Sequence, residues 1–95
     1  MYTSAEFQGL CRHLIRNYIN DRLDVTNNKQ ISTDDVYLVW YCKALKNHKA
    51  LLSTTLPDGM YYECTYNGDK EELYIDAYKK WENQCISLKK EKEEE

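Results

Sequence analysis

Apolar residues in the first part of the chain fall at Phe7, Leu10, Cys11, Leu14, Ile15, Tyr18 and Ile19, a three-then-one rhythm that puts all seven on one face of a helix. Thr3 and Glu6 stand ahead of this run at capping-box spacing: the hydroxyl can accept from an orphan amide while the carboxylate reaches back to the cap amide. A helix from Ser4 to Leu23 is expected, with Arg12, Arg16, Asn20 and Arg22 on its solvated side. The polar, turn-prone run Asp24 to Gln30 is read as the loop that ends it.

The period then changes. β-Branched and aromatic residues alternate in Val36–Cys42, Ala50–Thr55 and Met60–Tyr66, which predicts three short strands with apolar residues on both sheet faces. Period-two geometry sends Leu38, Trp40 and Cys42 to one face, and Tyr37, Val39 and Tyr41 to the other. Lys46 to Lys49 is a polar connection. In Leu56-Pro57-Asp58-Gly59 the proline presets φ and the glycine accepts a positive φ, so the second and third strands are expected to form an antiparallel hairpin.

Beyond the turn signal Asn67-Gly68 two periods compete. Tyr74, Ala77, Tyr78, Trp81, Cys85 and Leu88 keep helical spacing, and Asp69 with Glu72 repeats the cap pattern. Leu73 and Ile75 alternate as a fourth strand would, so residues 71–75 admit either state. The helical pattern is longer and is preferred. The expected fold is α+β: an N-terminal helix, a three-stranded antiparallel sheet and a C-terminal helix, with both helices on one sheet face. A single domain over 1–88 is expected, followed by a charged, disordered tail over 89–95.

At 95 residues and 42% apolar content the chain supports one modest core, which excludes a second domain. The N-terminus lacks the basic residues and apolar run of a signal peptide, and no run of about 18 apolar residues occurs. A soluble, intracellular protein with no membrane association is expected. The net charge of −3 provides no global basic face to neutralise phosphates, which disfavours direct nucleic-acid binding. Cys11, Cys42, Cys64 and Cys85 contain no C-x-x-C pair and are read as buried free thiols in a reducing cytosol. A disulfide pair, or a metal site joining His13 or His48 to a cysteine, are the alternatives.

No catalytic constellation emerges. Asp34 and Asp35 are adjacent, so on an extended chain their carboxylates diverge, and they are read as turn and strand-edge residues. His13 and His48 have no nucleophile at a recognisable spacing. Ser53-Thr54-Thr55 lacks a nucleophile elbow, and with Gly9, Gly59 and Gly68 as the only glycines there is no phosphate-cradling loop. No catalytic residue, metal ligand or cofactor is assigned.

The nine tyrosines carry the sharper hypothesis, because tyrosine supplies rigid contact area with a polar tip at protein interfaces. Tyr37, Tyr41 and Tyr61 are assigned to the sheet face opposite the helices. With Glu63 and Asp58 near the turns they form the candidate partner-binding set. Two other readings apply to the same residues: tyrosine merely suits strands, or the face stacks single-stranded nucleic acid with Lys43 and Lys49 as the nearest cations.

The blocks Ile31–Trp40, Lys49–Thr55, Asp58–Glu63, Tyr66–Lys70 and Glu72–Asn83 resemble a family of short proteins without assigned function from phages and prophages of Gram-positive bacteria. The likeness covers roughly the C-terminal two-thirds of the chain. It implies no enzymatic activity, and it implies a phage protein in the host cytoplasm that binds and inhibits a host protein. A Cas9-type nuclease is the specific target expected, by way of an anti-CRISPR role. The competing classes are a nucleic-acid-associated replication or regulatory factor, a small metal-binding protein, and a homodimer that hides the second sheet face.

Overall fold

A computed structural model describes residues 2–23 and 30–89. Its elements are a helix α1 (Ser4–Asn20), a single 3-10 turn (Thr33–Asp35), and strands β1 (Val36–Ala44), β2 (Asn47–Thr54), β3 (Met60–Asn67) and β4 (Glu72–Lys79). The strands form one antiparallel meander in the order β1-β2-β3-β4. The α+β class is as expected. The fourth element is a strand, and among the described residues there is no C-terminal helix.

The predicted cap closes the helix. Glu6 N–H donates to Thr3 Oγ1 at 3.1 Å and Thr3 N–H donates to Glu6 Oε1 at 2.9 Å, satisfying two amides that a helix start leaves open. Phe7, Cys11, Ile15 and Ile19, four residues apart, are buried against one face of the sheet. They meet Val36, Ala50, Leu52, Tyr62, Cys64 and Tyr66 there, and Ile31 completes the core. The solvated reading of the helix's other side needs correction at two residues. Arg12 Nε donates to the Val36 carbonyl at 3.2 Å, and the Asn20 amide makes two bonds to the Ile31 backbone, at 2.9 and 3.0 Å. Both tie α1 to the segment that enters the sheet. All of the predicted loop Asp24–Gln30 except Gln30 lies outside the described residues, as does all of the predicted tail except Lys89.

Asp35 serves the turn and strand edge, as its position suggested. Its carboxylate accepts from Ser32 N–H at 2.9 Å, closing a second capping box, and from Thr55 Oγ1 at 3.3 Å. The β2–β3 hairpin has its turn at Pro57–Gly59, where Gly59 takes φ +71. In the β3–β4 turn Asn67 Oδ1 accepts from the amides of Asp69 and Lys70, and Asn47 Oδ1 from Gly68 N–H.

Residues 72–79 become a strand for a tertiary reason. The turn after β3 brings the segment alongside that strand, where extended backbone continues the ladder and sets Leu73 and Ile75 against the core. As a strand this segment pairs Leu73, Ile75 and Ala77 with Tyr66, Cys64 and Tyr62 on the helix side. Asp69, expected as a cap, instead sits in the turn.

A single extra residue in β1 decides which side chains face the helix. Leu38 pairs with Leu52, but the next pair is Trp40 with Leu51, so Val39 is an unpaired bulge residue. Past a bulge the in-out parity inverts. Tyr41 and Lys43, opposite Ala50 and His48, therefore lie on the helix side, whereas Trp40 and Cys42, opposite Leu51 and Lys49, lie on the far side. The expected inward Trp40 and Cys42 and outward Tyr41 are corrected together.

Candidate interaction surface

With α1 on one face, no described element covers the other. Its side chains form three cross-strand rows. Tyr37, Ser53, Tyr61 and Tyr78 make the first; Trp40, Leu51, Glu63 and Asp76 the second; Cys42, Lys49, Thr65 and Tyr74 the third. Directly opposed residues in a ladder stand roughly 4.5–5.5 Å apart, so each row is a continuous contact strip. Trp40, Tyr37, Tyr78 and Tyr74 are 41, 47, 53 and 57% exposed, large values for aromatic side chains on a sheet.

Charge divides this face. Glu63 and Asp76 lie opposite each other on β3 and β4, with Glu72 at one end. Lys49 Nζ approaches Glu63 Oε2 at 3.7 Å, and Tyr74 Oη donates to Glu72 Oε1 at 2.9 Å. That hydrogen bond, and then the charge of Glu72, raises the Tyr74 phenol above its ordinary value. The acidic residues Glu63, Asp76 and Glu72 thus lie on β3 and β4 among Tyr61, Tyr74 and Tyr78, while Tyr37 and Trp40 stand on β1.

Three of the five predicted partner-binding residues, Tyr37, Tyr61 and Glu63, share this face. Tyr41 does not: its hydroxyl lies 2.6 Å from His48 Nδ1 on the helix side. Asp58 stands apart in the β2–β3 turn, accepting from Met60 N–H at 3.1 Å. Sequence reasoning missed Trp40, Tyr74 and Tyr78. The last two were legible as strand residues from Leu73 and Ile75, whereas Trp40 depends on the bulge.

The remaining titratable groups do not converge. Cys11 and Cys64 are buried free thiols, as expected, and Cys11 is held well above the ordinary thiol range, chiefly by its hydrogen bond with Cys64 and then by burial. Cys42 and Cys85 are exposed, correcting their expected burial. His13 is exposed on α1 beside Arg16. His48 is 1% exposed, its ring stacked on Phe7 at 4.8 Å between centroids. Burial first, and then the Lys43 ammonium, push His48 below its ordinary value; the Tyr2 backbone pulls the other way without closing a hydrogen bond at Nε2, which is buried without a partner. Among the described residues no three His, Cys, Asp or Glu side chains are placed to hold a metal ion, and no helix is long and apolar enough to cross a membrane.

The fold and surface define a two-layer α+β domain whose sheet has one face packed under a helix and one aromatic face open. Residues 8–88 match the profile of DUF6275, a family of unknown function, and the chain belongs to that family. Comparison with curated proteins and with solved structures found no match.

Proposed function

We propose that this is a non-enzymatic binding protein whose open sheet face, centred on Tyr37, Trp40, Tyr61 and Tyr78, docks a protein partner. The observation that carries the reading is the clustering of these aromatics on a face no described element covers. Tyr and Trp are the residue types that dominate binding energy at protein interfaces, because they add large rigid area at low entropic cost. The acidic residues of the face, Glu63, Asp76 and Glu72, support a partner with a basic surface and oppose a phosphate backbone, since each carboxylate would repel the phosphates that a nucleic-acid site must neutralise.

The biological setting rests on the sequence resemblance to phage and prophage proteins. In that setting the partner is a host protein in the bacterial cytoplasm, and the specific target is a Cas9-type nuclease, whose basic nucleic-acid channel complements the acidic residues of the face. The test is direct: purified nuclease is titrated with the chain in a binding assay and in a DNA-cleavage assay. Inhibition with a dissociation constant at or below about a micromolar, weakened at least tenfold by Trp40→Ala and by Tyr61→Ala, is the expected result. Absence of binding at tens of micromolar removes the nuclease as target. Binding unaffected by both substitutions removes the face as the docking surface.

A further inference from the structure

The two edges of the sheet are not equivalent. β1 is interrupted by the Val39 bulge, a feature that spoils edge-to-edge pairing, whereas β4 runs eight residues with no bulge, proline or glycine. Lys80 N–H donates to the Gly59 carbonyl at 2.7 Å, one step beyond the pair Met60–Lys79. Antiparallel alternation then turns the amides of Glu72, Tyr74, Asp76 and Tyr78 toward β3, and those of Leu73, Ile75, Ala77 and Lys79 toward the open edge. The side chains of Leu73, Ile75 and Ala77 share the helix side, where α1 lies over β1 and β2 and leaves Leu73 and Ile75 half-buried and Ala77 exposed. Two residues past the strand, Trp81 is 95% exposed.

We propose that two copies of this chain pair antiparallel through their β4 edges, about a two-fold axis at Ile75, forming one eight-stranded sheet in which Trp81 of each copy seats in a cleft of the other. Charge selects the register. In a continuous sheet, opposed residues must share a face, so the axis passes through a residue of β4. An axis at Asp76 would set that carboxylate against its own copy, one at Tyr74 would set Asp76 against Glu72, and one at Ala77 would set Ile75 against Lys79. The axis at Ile75 avoids all three: it opposes Leu73 to Ala77 and Tyr74 to Asp76, and it brings Lys79 across from Glu71.

In this register Lys79 reaches the start of β4 in the other copy, so Trp81, two residues past the strand, comes beside the other copy's β3–β4 turn. At that end of the other copy lies a cleft of about 370 Å³ lined by Tyr2, Lys46, Tyr66, Gly68 and Glu71. Tyr66 lies opposite Leu73, on the helix side. An indole buries roughly 150–250 Å². Two reciprocal indoles, the surfaces that receive them and the paired edges reach on the order of 1,000 Å², the low end for a specific interface and the range of weak, reversible dimers. The aromatic sheet face stays open in this dimer and becomes twice as wide, so the inference does not depend on what that face binds.

The test is sedimentation of the full chain from about 1 to 300 μM, a range that brackets micromolar dissociation. A concentration-dependent rise from 11.4 kDa to twice that mass is expected. Ala77→Pro deletes an outward amide without removing a bond to β3, and should leave a monomer with unchanged circular dichroism. Trp81→Ala should raise the dissociation constant at least tenfold; because Trp81 is exposed in the monomer, this variant tests the interface even where the proline variant fails to fold. In a Trp40→Phe background, Trp81 emission should shift to the blue as the dimer forms. A single 11.4 kDa species across the whole range overturns the proposal. So does a dimer indifferent to both Ala77→Pro and Trp81→Ala, and so does one that Trp40→Ala abolishes while those two leave it intact, which would mark face-to-face packing through the aromatic surface.

Discussion

Tyr37→Phe and Tyr41→Phe remove the same atom from two tyrosines of one strand, and the bulge makes their consequences unequal. Tyr37 is 47% exposed on the open face, and a change there should alter stability by no more than about 0.5 kcal/mol. The Tyr41 hydroxyl lies 2.6 Å from His48 Nδ1, beneath α1. His48 is 1% exposed and its Nε2 already lacks a partner, so losing the Tyr41 hydroxyl strands the second ring nitrogen as well. Leaving a buried polar atom unsatisfied costs about 1–3 kcal/mol. For a domain of this size each kcal/mol corresponds to about 4–8 °C in Tm. Urea unfolding near pH 8, where a histidine of ordinary or depressed pKa is neutral, measures both variants against the parent, with an unchanged m-value as the check that only stability moved. Equal small losses, or a larger loss for Tyr37→Phe, would mean that Tyr41 faces solvent and that β1 runs without its bulge.

Other perturbations follow from local geometry. His48 is held below its ordinary value, so as pH falls below about 6.5 the unfolded chain takes up the proton first; stability is full above that pH and declines, by up to about 1.4 kcal/mol per pH unit, down to the depressed folded value. Denaturant titrations from pH 7.5 to 5 should show His48→Gln losing less stability across this window than the parent, and parallel curves would count against a buried neutral imidazole. Gly68→Ala drives a Cβ into the Lys46 carbonyl oxygen and should cost about 1–3 kcal/mol, read as a fall in Tm. Leu45 sits at φ 57 and is 91% exposed, so Leu45→Gly should raise stability by about 0.5–1 kcal/mol in the same assay.

Much of the fold is legible in the sequence. The helix announced itself through the Phe7–Ile19 rhythm and the Thr3–Glu6 cap because those signals are local, and the β2–β3 hairpin did so through Pro57 and Gly59. The last strand was not separable from a helix, since Tyr74, Tyr78 and Trp81 fit one period and Leu73 and Ile75 the other. What selects the strand is pairing with β3 and the packing of Leu73 and Ile75 against the core, a tertiary preference whose local mark is only the alternation of those two residues. The candidate surface was half legible. Tyr37, Tyr61 and Glu63 follow from alternation alone, but the Val39 bulge leaves no trace in a run of seven β-forming residues. It exchanges Tyr41 for Trp40 and Cys42 on the open face.

That exchange underlies the proposed binding surface, and thiol chemistry reads it most directly. The folded chain is alkylated briefly with iodoacetamide under reducing-agent-free conditions, quenched, and mapped by peptide mass. Cys42, exposed beside Trp40 on the open face, and Cys85 should be modified in the native state, while Cys11 and Cys64 react only after unfolding. Protection of Cys42 to the level of Cys11 and Cys64 would place it under α1, restore the unbroken alternation of β1, and contradict the account.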